Sequence, residues 1–70
     1  MKIIVERFVI GGRNGHPSMP SRALQRAFGS EIEIDVMRQE MRVPTDKGYK
    51  LATKGNTIIC YSDGTYDVEY

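Results

Sequence analysis

Apolar and polar positions alternate along most of the chain, and the alternation is interrupted once by a spacing of helical type. Lys2 to Ile10 carries Ile3, Ile4, Val5, Phe8, Val9 and Ile10. This β-branched and aromatic enrichment predicts a strand buried on much of both faces and placed centrally in a sheet. Gly11 to Pro20 breaks the pattern. Asn14-Gly15 would ordinarily turn a hairpin, but Pro17 and Pro20 lack the N–H groups that a returning strand donates, so the stretch reads as an open loop. Ala23, Leu24, Ala27 and Phe28 then form a helical stripe. Ser18 or Ser21 is placed to cap it, Pro20 suits a first turn and Gly29 ends it, which predicts a helix of about two to three turns.

From Glu31 the chain alternates again. Ile32, Ile34 and Val36 fall on one face and Glu31, Glu33 and Asp35 on the other, a strand with one wet side. Residues 37–43 fit either a helical stripe or a strand continued past a bulge, and the strand is the preferred reading. Pro44 to Gly48, Lys54 to Asn56 and Ser62 to Thr65 are turns, each flanked by residues of high strand preference. In the last segment Tyr66, Val68 and Tyr70 share a packed face and Asp67 and Glu69 a solvated one, which suits an edge strand. The whole predicts a single α+β domain of order β-α-β-β-β-β, with a C-terminal antiparallel meander and one short helix packed on the sheet.

Composition narrows the classes without changing that picture. A chain of 70 residues, 40% hydrophobic and 27% charged with a net charge of +1, resembles ordinary folded domains rather than disordered ones. No apolar run approaches the roughly 20 residues of a membrane span. Glu6 and Arg7 interrupt the only N-terminal apolar stretch, so a secretory signal is not expected. The single cysteine, Cys60, cannot form an internal disulfide, and no Cys/His set suits zinc. Together these point to the reducing cytoplasm and to no resident cofactor or metal. A core this small leaves little stability to spare, which favours a homo-oligomer.

Charge is segregated: bases dominate residues 1–30 and 43–56, acids dominate 31–42 and 57–70. Gly12, Arg13, Asn14 and His16 in the loop, with Arg22 and Arg26 one turn apart on the helix, compose a candidate anion site. Glycine-rich backbone N–H groups, a helix start and arginines all favour phosphate. The spacing matches neither a P-loop nor a dinucleotide-binding fingerprint, and the simpler reading is a connection flanked by solvated arginines. Tyr49, Tyr61, Tyr66 and Tyr70 offer stacking surfaces for a single strand or a nucleotide, although strand tyrosines more often cover a core rim.

Catalysis finds less support. Cys60 and His16, with Asp63 or Asp67, would be the minimum for a nucleophile and base, but the alternation around Cys60 makes it a packing residue. Glu31, Glu33 and Asp35 are better explained by cross-strand pairing with Lys47, Lys50 and Lys54 than by a metal. The expectation is a small non-enzymatic cytoplasmic binding or regulatory protein of bacterial or phage type, an accessory protein or inhibitor, that occupies a partner protein's surface. Its contact residues would be Glu31, Glu33, Asp35, Tyr66 and Tyr70. The alternative is a binder of a nucleotide or single-stranded nucleic acid through the Gly11–Pro20 loop and the Arg22/Arg26 face.

Overall fold

The computed structural model describes residues 2–12 and 19–70. Its strands are β1 (Ile4–Val9), β2 (Glu33–Asp35), β3 (Glu40–Thr45), β4 (Gly48–Ala52), β5 (Thr57–Tyr61) and β6 (Tyr66–Glu69), and its helix is α1 (Arg22–Ala27). The strands form one sheet in the order β1-β5-β6-β3-β2, with β4 paired to β3. Met41 has both Ile34 and Ala52 as register partners, and Thr45 has both Gly48 and Tyr66. It follows that β2 and β6 lie along the same side of β3, opposite β4. Among the named strands the ladders are antiparallel except the contact of Thr45 with Tyr66, which is parallel, as is the isolated bridge of Phe28 with Ile32.

The domain is therefore α+β, with one short helix among the described residues and an antiparallel meander of β2, β3 and β4 followed by the β5–β6 hairpin. It has one strand more than the hydrophobic pattern marks. Residues 36–39 turn the chain back, so the run from Glu31 to Val43 is two strands joined by a tight connection.

Phe8, Leu24, Ala27, Ile32, Val43, Ala52, Ile58, Cys60 and Val68 form the core, with Ile10, Phe28, Met41 and Tyr66 packed at its margin. Phe8 and Phe28 meet with ring centroids 6.0 Å apart in a tilted arrangement, a favoured geometry for aromatic pairs.

Two placements differ from expectation. β1 is not central: among the described residues it pairs only with β5, and Ile3 and Val5 are both 61% exposed. A run of β-branched residues has the same composition in a buried strand and in an edge strand with one open face, so composition could not separate them. The register shift between Ile4 and Glu6 also breaks the alternation there. The interior position belongs to β5, whose Thr57, Ile58, Ile59 and Cys60 are all buried between β1 and β6. Conversely, β6 is not an edge. Its Asp67 is accommodated inside the sheet because Lys50 Nζ donates to it at 2.7 Å.

The helix is shorter than its stripe suggested. Ser21 caps it, its Oγ accepting the Leu24 N–H at 3.2 Å, and Phe28 already has extended backbone angles. Ser30 Oγ donates to the carbonyls of Arg26 and Ala27, and Gly29, at φ +80°, lets the chain leave directly toward β2.

Candidate functional site

The residues singled out in the sequence fall in separate places. Arg22 and Arg26 project from α1 into solvent, and among the described residues neither forms an ion pair. Gly12 follows the end of β1 at φ +84°, its N–H donating to the Val9 carbonyl at 3.1 Å. Arg13, Asn14 and His16 lie outside the described residues.

Glu33 and Asp35 are exposed on β2, as the alternation requires, but the lysines do not pair with them. Arg42, the register partner of Glu33, approaches it at 3.7 Å, and Arg38 approaches Asp35 at 3.8 Å. Lys50 binds Asp67 instead. The reason is topological: β2 is followed by the turn that carries Arg38 and pairs with β3, which carries Arg42, and the lysines lie beyond β3 on and around β4. Glu31 stands near Tyr66, which is half-buried at the core margin. Burial first, and the Glu31 charge second, push the Tyr66 phenol above its usual pKa. Tyr70 is exposed beyond the end of β6.

Two concave regions adjoin these residues. One, of about 600 Å³, opens between the start of α1 and the β5–β6 hairpin, lined by Val5, Met19, Leu24, Cys60 and Tyr66 among others. At its rim the Glu6 carboxylate accepts the Ser21 N–H at 2.8 Å and also the Ser21 hydroxyl, which ties β1 to the helix start. Cys60 faces this groove with its thiol pushed up to about 11 by burial, reinforced by the negative charge of Glu6. A protonated thiol beside a carboxylate is a packing group rather than a nucleophile at neutral pH.

The other, of about 360 Å³, lies beneath the β2–β3 connection and is lined chiefly by Ile10, Ile34, Val36, Met41 and Ala52, with Glu40 and Lys54 at its rim. The connection carries Val36, part of that lining, and Met37 beside it, 78% and 93% exposed. The turn that presents them is internally tied. Asp35 Oδ1 accepts the Arg38 N–H at 3.1 Å, and Gln39 takes a left-handed conformation at φ +54°. The alternation alone places Val36 on the packed face of a continuous strand, and Met37 begins the stretch that fits either a strand or a helical stripe. The available signal was the Asp35 to Gln39 stretch itself, where an aspartate able to cap a turn precedes four residues without strand alternation.

Compared with models of known protein families, with curated proteins and with solved structures, the chain matches none. Among the described residues no helix is long and apolar enough to cross a membrane, and no group of three or more His, Cys, Asp or Glu side chains converges to hold a metal ion.

Proposed function

We propose that this is a small non-enzymatic binding protein, of bacterial or phage type, that acts in the cytoplasm by occupying the surface of a partner protein. The observation that carries the reading is the β2–β3 connection. Two large apolar side chains stand in solvent on a turn tied by Asp35: Val36, at the wall of an apolar depression rimmed by Glu40 and Lys54, and Met37 next to it, followed by Arg38. An apolar centre with a charged rim is the anatomy of protein-binding surfaces, and a preorganised turn lowers the entropy lost on docking. The contact surface proposed from the structure is thus the hairpin tip with Glu33 and Asp35, rather than one face shared with Tyr66 and Tyr70.

Affinity capture with the wild-type protein and with a Val36→Asp/Met37→Asp variant tests this. A defined protein partner is expected with the wild type, and its loss is expected with a variant whose circular dichroism is unchanged. Equal capture by both would refute the assignment.

A second reading, binding of a phosphorylated ligand or a single-stranded nucleic acid, draws on Arg22 and Arg26, which stand one turn apart and exposed. It predicts nucleotide or oligonucleotide binding that is strongest at low ionic strength and abolished by Arg22→Glu/Arg26→Glu. No binding at low salt removes it.

A further inference from the structure

Independently of any partner reading, the edges of the sheet differ in how they resist pairing with another strand. Among the described residues β1, β2 and β4 each pair on one side only. Natural edge strands avoid association through bulges, outward charges, proline or brevity. β1 has a register shift and an exposed arginine, Arg7, near its middle, and β2 has three residues, two of them acids. β4 has no bulge, no proline and no such brevity, and its one charged side chain, Lys50, is engaged by Asp67 of the same chain at 2.7 Å. It runs for five residues in unbroken register with β3, and its solvent-facing side chains are Tyr49 and Leu51, 61% and 50% exposed.

The backbone of β4 is aimed to match. The two-residue turn at Asp46 and Lys47 makes Thr45 and Gly48 the closing pair, and the hydrogen-bonded positions then continue at Val43 with Lys50 and Met41 with Ala52. Pro44, opposite Tyr49, has no N–H to give, which agrees with its pair being a non-hydrogen-bonded one. The N–H and C=O groups of Tyr49 and Leu51 therefore point away from β3.

We propose that β4 is a self-association edge, at which a second copy of this chain pairs antiparallel about a two-fold axis through Lys50. In that register Tyr49 of each copy faces Leu51 of the other. Each such pair exchanges its outward backbone hydrogen bonds and places an aromatic ring beside an aliphatic side chain on the same face. Arg42, 5.6 Å from the Tyr49 ring, flanks the pair. The two Lys50 side chains come together at the axis. In an unneutralised strand that would oppose association, but each Nζ is already bound at 2.7 Å by Asp67 of its own copy. The same pairing centred on β1 would set Glu6 against Glu6 or Arg7 against Arg7, with no comparable compensation.

Sedimentation equilibrium over a wide protein concentration range, on the purified full chain, tests this. A reversible monomer–dimer equilibrium is expected for the wild type. Leu51→Pro, which deletes an outward N–H, and Tyr49→Lys/Leu51→Lys, which charges the edge, are both expected to be monomeric with native circular dichroism. Should the proline variant misfold, the lysine variant decides. Asp67→Asn is expected to weaken the dimer by leaving Lys50 uncompensated at the axis. A wild type that stays monomeric throughout, including one whose β4 is reserved for another protein, overturns the proposal. So does a dimer that both edge variants leave undiminished.

Discussion

Cys60 stands on the innermost strand with its thiol turned toward the groove between α1 and the β5–β6 hairpin. Burial, with Glu6 adding to it, holds its pKa at about 11 against an ordinary value of 9.0. The unfolded chain therefore loses this proton about two pH units before the folded one does. The stability linked to the thiol is fully present below about pH 9, falls as pH rises toward about 11, and amounts to about 2 to 3 kcal/mol when the difference is complete. Denaturant unfolding from pH 7 to 11 is expected to show this alkaline decline in the wild type and to lose that part of it in Cys60→Ala. An identical pH dependence in the two proteins would show that Cys60 is not held protonated by the fold. The sequence made this residue legible, since the alternation of Ile58, Ile59 and Cys60 already indicated packing.

At the level of elements, the helix and the turns were readable because local chemistry determines them. Ser21 caps, Gly29 releases the chain, and the Asp63 side chain accepts from the Thr65 N–H at 3.0 Å to close the β5–β6 turn. Strand rank within the sheet was not readable, because it depends on which distant strand is recruited to which edge. β1 and β6 exchanged roles for that reason. The candidate site was half legible: the exposed acids of β2 followed from alternation, whereas their arginine partners depended on the unseen turn at 36–39. That turn makes its own prediction. Gln39 has a side chain at φ +54°, where glycine is strained least, so Gln39→Gly is expected to be neutral or to stabilise by up to about 1 kcal/mol, unlike glycine within a strand. Thermal unfolding measures it, and a loss larger than about 1 kcal/mol would place Gln39 outside the left-handed region.

Taken as a whole, the molecule is stitched by carboxylates bonded in the folded state. Lys50 and the Val68 N–H hold the Asp67 carboxyl below its usual pKa, and Thr65 does the same for Asp63. Depressed folded values mean that the unfolded chain takes up protons first as pH falls through about 4, so these contributions persist above that point and are lost below it. The melting temperature is expected to be level from about pH 5 to 8 and to fall below pH 4, with a shallower fall in Asp63→Asn/Asp67→Asn. An unchanged acid slope in that variant would assign the acid sensitivity to other groups.

The pairing of β1 with β5 also bears on the order in which the chain reaches its structure. β2, β3 and β4 can zip together from neighbouring segments, but β1 pairs with a strand about fifty residues further along the chain. Until that strand is in place Ile3, Ile4, Val5 and Phe8 have no ladder to join. The meander can form early from short-range pairings, whereas closure of the β1 ladder, which joins the two most distant strands in sequence among those that pair, must await β5.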